Sequence, residues 1–130
     1  KLDHAADLAA AQVEAGHIGE GLDFLRRYLQ DHPSAEGYYR LAEIAAGAGL
    51  PDDALRAYKI AVKLDGDISA EPHRRIARFY EQHDRPEEAT THWRVALWFD
   101  GNDAEAQDAL RALGQVPGPS YTLSPDAIDN

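Results

Sequence analysis

The chain has 130 residues, room for one compact domain or a short run of repeats. Its 23 Asp and Glu against 13 Lys and Arg give a net charge of −10, which opposes phosphate backbones and anionic lipid surfaces. It has no Cys, which excludes disulfides, thiolate metal sites and thiol nucleophiles, and no apolar run approaches the ~18–20 residues of a membrane span. The 23 Ala nearly match the 26 Leu, Ile, Val and Phe combined, a balance that favours close helix packing through small side chains over one deep core. With Lys1 in first place and no Met, the sequence reads as a cut or processed product.

Three segments align when the chain is slid against itself. Leu8-Ala9, Gly16, Gly21, Leu25 and Tyr28 lead to Asp31-His32-Pro33 in the first. Leu41-Ala42, Gly49, Ala54, Tyr58 and Ala61 lead to Leu64-Asp65-Gly66 in the second, and Ile76-Ala77, Asp84, Ala89, Trp93 and Ala96 lead to Phe99-Asp100-Gly101 in the third. The offsets are 33 and 35 residues. Tyr38, Leu41, Ala42 and Ala45 form one helical stripe, repeated by His73, Ile76, Ala77 and Tyr80. A second helix in each repeat follows from Ala54, Tyr58 and Ala61 and from Ala89, Trp93 and Ala96.

Punctuation agrees with this division. Ser34 and Ser69 stand where N-caps are needed, and Pro51-Asp52-Asp53 and Pro86-Glu87-Glu88 suit first turns, where Pro is tolerated and acids meet the positive end of the dipole. Gly66 and Gly101 are expected to close helices in the left-handed conformation. Asp103 to Leu113 reads as one more helix, apolar at Ala106, Leu110 and Leu113 and polar at Glu105, Asp108 and Arg111, fit to cover the end of a stack. From Gly114 the pattern stops, and Pro117, Gly118, Pro119 and Pro125 predict an extended or disordered tail over 114–130.

The helix-turn-helix unit, the average near 34 residues and the ordered Leu-small, Gly, Ala, aromatic and Ala landmarks resemble the tetratricopeptide repeat (TPR). The resemblance covers three repeats, about 2–34, 35–69 and 70–103, with the capping helix at 103–113. Gly21 and Tyr28 replace the small Ala landmarks of repeat one, and the early large aromatic is Ala5 there and His73 in repeat three. The resemblance implies an all-α, right-handed solenoid of antiparallel helix pairs whose first helices line a concave groove for a peptide.

Catalytic and metal chemistry find little support. The histidines His4, His17, His32, His73, His83 and His92 include no pair at i, i+3 or i, i+4 on one predicted helix, so no local metal-ligand pair exists. The glycines form no phosphate-cradling loop, Ser34, Ser69, Ser120 and Ser124 have no base and orienting acid beside them, and paired acids are accounted for by helix first turns. The expectation is a non-enzyme without cofactor or metal.

Helical period places Asp3, Ala6, Asp7 and Ala10, then Glu36, Tyr39, Arg40 and Glu43, then Glu71, Arg74, Arg75, Arg78 and Glu81 opposite the packing stripes. Repeats one to three carry net −4, −2 and −2, so Arg40, Arg74, Arg75 and Arg78 are expected to form a positive island. The candidate peptide-binding residues are Tyr39, Arg40, Glu43, Arg74, Arg75, Arg78 and Glu81, with the guanidinium forks suited to an acidic or C-terminal peptide and Tyr39 offering an aromatic platform. The competing reading is a solvated face of local ion pairs. Repeats of this type that clamp chaperone carboxylates would need matching side chains at Ala6, Ala10, Arg40, Glu71 and Arg75, and only Arg75 agrees.

The leading expectation is a protein-interaction scaffold or adaptor, with no nucleic-acid partner and no membrane insertion. Alternatives are the regulatory or targeting segment of a larger enzyme, and a self-assembling homo-oligomer. The tail, with Tyr121, Leu123, Asp126, Ile128 and Asp129, is either a linker or a placeholder for the groove. Lack of Cys is compatible with cytoplasm or periplasm, and high Ala and Arg with little Lys suggests a GC-rich bacterial source.

Overall fold

A computed structural model describes residues 1–115 and 121–128. Seven α-helices and no strand occur among them: α1 (Leu2–Glu14), α2 (Ile18–Asp31), α3 (Ala35–Gly47), α4 (Pro51–Asp65), α5 (Glu71–Gln82), α6 (Pro86–Phe99) and α7 (Ala104–Ala112). A short 3-10 turn, Pro125–Ala127, follows in the tail. The chain divides into two compact units, Lys1–Leu64 and Asp65–Asn130. None of the described helices is long and apolar enough to cross a membrane.

In the first unit α1 pairs with α2, and α3 packs on both. Small residues make the α1–α2 approach close. A Cβ at Gly21 would stand 2.7 Å from the Ala9 backbone oxygen, closer than a side chain tolerates, and in a tight 3.2 Å contact with the Gln12 Cβ. Ala9, Leu22, Leu25 and Leu29 are buried around that crossing. Ser34 caps α3, its hydroxyl accepting the Gly37 N–H at 3.0 Å, as its place in the sequence predicts. Tyr39 and Ala35 of α3 form a core with Ala61 of α4, against which Tyr38 and Tyr58 pack.

In the second unit α5 pairs with α6, and α7 lies on α6. Ala77, Ala89 and Ala96 are fully buried beside Trp93, Ile76 and Val95. The Trp93 indole N–H donates to a Glu81 carboxylate oxygen at 2.6 Å, which satisfies the one polar atom of that buried ring. Asp103 caps α7, accepting the Ala106 N–H at 3.1 Å, while Ala106 and Leu110 turn inward. Pro86 opens α6 and Pro51 opens α4, both as first-turn residues.

Several local expectations are corrected. Among the described residues, the left-handed ones are not Gly66 and Gly101 but Gly16 (φ 93°), Gly49 (φ 80°), Asp84 (φ 56°) and Gly114 (φ 82°). The first three sit in the turn inside each hairpin and are spaced by 33 and 35 residues, the offsets of the sequence repeat. The tight reversal between paired helices, and not the passage between repeats, therefore needs positive φ. Ser69 lies one residue ahead of the α5 N-cap, Ala70, and its hydroxyl accepts from Glu71 N–H at 3.1 Å. Leu8 is 42% exposed although its repeat equivalents Leu41 and Ile76 are 4% and 1% exposed, whereas Ala6, expected on the free face, is buried.

Candidate functional site

Helices α3 and α5 carry the residues singled out for binding, and each unit places its own share. In the first unit Arg40 of α3 reaches back to α1, donating to Asp3 at 3.0 Å and lying 3.8 Å from Asp7. Glu43 is exposed one turn further along α3. Tyr39 is corrected: it is 4% exposed and belongs to the α3–α4 core, so it offers no surface platform. The helical period misassigned it because α3 buries a wide arc, with Ala35, Tyr39, Leu41, Ala42 and Ala45 all inside.

In the second unit the α5 arginines form a network with acids of α5 and α7. Glu71 accepts from Arg74 Nε at 3.0 Å and from Arg75 Nε at 2.8 Å. Arg74 also donates to Asp103 at 2.7 Å. One turn on, Arg78 holds Glu105 through two parallel bonds of 2.5 and 2.6 Å, the fork-to-carboxylate geometry that planar guanidinium allows. Glu81 points elsewhere, to Trp93. Three arginines thus meet three carboxylates, and this share of the expected positive island is neutralised within the second unit, as Arg40 is by Asp3 within the first.

The electrostatics follow from the pairing. Burial would raise the Glu71 carboxyl, but hydrogen bonds from Arg75 and Arg74 outweigh it and hold the group below its ordinary value. Arg74 is raised in spite of burial by its bonds to Asp103 and Glu71, and Arg78 is raised by Glu105. The two outer pairs differ in kind. The Asp103 side chain is nearly buried, so it depends on Arg74, whereas Arg78 and Glu105 are both more than one third exposed and can separate into water.

A constellation that local spacing missed lies between α5 and α6. His73 and His92, 19 residues apart, are both buried with their Nδ1 atoms 3.0 Å apart, and His73 Nε2 is 2.8 Å from the Gly66 carbonyl. A carbonyl only accepts, so Nε2 of His73 carries the proton and its Nδ1 accepts from the His92 Nδ1–H. The Tyr80 ring stacks on His92 and Phe99 on His73. A usable signal existed: Ala89, His92, Trp93 and Ala96 make an i, i+3, i+4, i+7 stripe, which places His92 inside the hairpin. Among the described residues no group of three or more His, Cys, Asp or Glu is placed to hold a metal ion.

The described tail does not lie along the α5 arginines. Its Leu123 N–H donates to the Arg94 carbonyl of α6 at 3.2 Å, and the Tyr121 hydroxyl donates to Gln115 at 2.6 Å. The expectations for Pro117, Gly118, Pro119, Ser120 and Asp129 fall outside the described residues. No protein-family model matches the chain, and no curated protein sequence matches it.

Proposed function

We propose that the chain is a non-catalytic protein-interaction module, a TPR-like right-handed solenoid whose first-helix face takes an acidic segment of a partner polypeptide. The observation that supports this reading most is the Arg78–Glu105 pair. Its guanidinium already holds a carboxylate in bidentate geometry at a position open to water. A partner carboxylate can take the place of Glu105 with little change in the number of bonds, so binding is an exchange of one acid for another. Arg75 stands one turn back along α5 as a second cation, and Arg74 positions the α7 cap through Asp103 without itself being exchangeable.

The exchange predicts opposite effects from its two partners. Glu105→Gln frees the Arg78 fork and raises capture of a labelled acidic peptide ending in a free carboxylate. Arg78→Ala lowers it, and both differences shrink as salt rises. Fluorescence anisotropy with that peptide reads the result. Equal binding by the parent and both variants moves the binding face away from α5. Replacing all three arginines is a poorer test, because loss of Arg74 strands the Asp103 carboxylate and damages the fold.

A further inference from the structure

We infer that the outer face of α6 around Arg94 is a second peptide-docking site, which takes an extended segment with an aromatic residue, an acidic neighbour and an aliphatic residue two places after the aromatic, and that the chain's own Tyr121-Thr122-Leu123 is its resident competitor. Three interactions converge on one residue. The Arg94 guanidinium lies over the Tyr121 ring at 4.4 Å, Arg94 Nη2 donates to the Thr122 carbonyl at 3.4 Å, and the Arg94 carbonyl accepts from Leu123 N–H at 3.2 Å. A fourth fixes the aromatic itself, since the Tyr121 hydroxyl donates to Gln115 just beyond α7. Bonds to the main chain at residues 122 and 123 and a ring contact at 121 hold the segment by its backbone and one side chain, and leave the residue between them open to choice.

The resident segment fits incompletely. Arg94 Nε is buried and has no hydrogen-bond partner, and the two backbone bonds are at the long end of their range. A buried donor left unpaired costs free energy, and the planar Arg fork is well shaped to donate to a carboxylate there. One turn along the same face of α6, Trp98 is 49% exposed and offers apolar area beyond the resident contacts. Every described residue from Tyr121 to Pro125 is half-buried and none is fully so, as suits a segment that can be displaced.

The competition also decides between occupants. A tethered tail is present at its site at an effective concentration on the order of millimolar. The same tail from a second copy makes no new contact and gains nothing over the resident. A foreign segment prevails only by making the bond that the resident omits, and that bond is to Arg94 Nε. The occupant is therefore a partner with Glu or Asp beside its aromatic residue.

The test uses the full chain and two labelled peptides, one with the tail pattern Tyr-Thr-Leu and one with Tyr-Glu-Leu. Tyr121→Ser with Leu123→Pro removes the ring and the N–H donor of the resident segment. This variant is expected to bind the Glu peptide about tenfold or more tightly than the parent does, and more tightly than it binds the Thr peptide. Arg94→Gln in the same background is expected to lose that gain, and Arg94→Lys, which keeps the charge but not the planar fork, serves if the Gln variant loses helicity. Equal binding by parent and released variant, or by the Arg94 variants, overturns the site. Equal binding of the two peptides overturns the acidic partner. None of these outcomes depends on Arg78, so the α5 face and this one fail separately.

Discussion

The α1–α2 and α5–α6 hairpins occupy matching places in the repeat and are closed by different chemistry. In α1–α2 the helices meet at Gly21, where even one carbon would run into the Ala9 carbonyl. In α5–α6 the aligned residue is Ala89, fully buried, and rings fill the space: His73, Tyr80, His92 and Trp93, with hydrogen bonds from His73 to Gly66 and from Trp93 to Glu81. The turn backbone is nonetheless the same, with Gly16 and Asp84 both at positive φ. Repeat register therefore fixes where helices reverse, while the residues between them set how near they come and whether the contact is polar.

The largest effect expected from breaking this contrast comes from overfilling the polar hairpin. Ala89→Leu or Ala96→Leu adds volume beside Trp93 and should cost ~1–3 kcal/mol, less if the rings can move aside. The chain's two Trp, Trp93 and Trp98, both lie in α6, so Trp fluorescence during denaturant unfolding reports on the second unit. An unshifted midpoint in both variants would mean that small residues at these places are not packing landmarks.

Those landmarks show what the sequence can and cannot specify. Ala54, Ala61, Ala89 and Ala96 are all buried, as expected, because small residues at helical spacing have one economical use. The Ser34 cap of α3 and the first-turn prolines were equally legible, since capping depends only on neighbours along the chain. Tyr39 was not. A helix touched on two sides buries more than one stripe, and periodicity alone cannot say how wide the covered arc is. Nor could it show that Arg40, Arg74 and Arg78 would each meet an acid on, or capping, another helix, because those partners lie 37, 29 and 27 residues away.

A smaller effect sharpens the other half of the comparison. Gly21→Ala gains about 1 kcal/mol of helix propensity, but its new methyl stands against backbone and cannot be accommodated by a rotamer change. The expected net is a loss of roughly 1 kcal/mol, read as a lower midpoint by far-UV circular dichroism. The same change at a glycine with open surroundings, Gly19, should raise the midpoint instead. A stabilised Gly21→Ala variant would show that α1 and α2 are free to separate, and the distinction between the two hairpins would narrow.

The smallest effect is a slope with pH and belongs to the α5–α6 hairpin alone. Burial lowers the His73 pKa, against the Gly66 hydrogen bond and the nearby Asp67 charge, which raise it. The unfolded chain thus takes up the proton first as pH falls, so the contribution of this residue is complete above the ordinary imidazole range. It is lost on descending through about 6.5 toward the lower folded value. Protonating His73 Nδ1 would also set N–H against the N–H of His92, removing the bond between the rings. Glu71 acts in the same direction but only further down, below its ordinary value of 4.5. Denaturant midpoints by Trp fluorescence should therefore fall between about pH 7.5 and about pH 5.5, before the carboxylates respond. In a His73→Phe/His92→Leu variant that fall should vanish, with His4, His17, His32 and His83 left in place as the internal control. A slope that persists in the double variant would assign the acid sensitivity to those remaining histidines and leave the buried pair a packing element only.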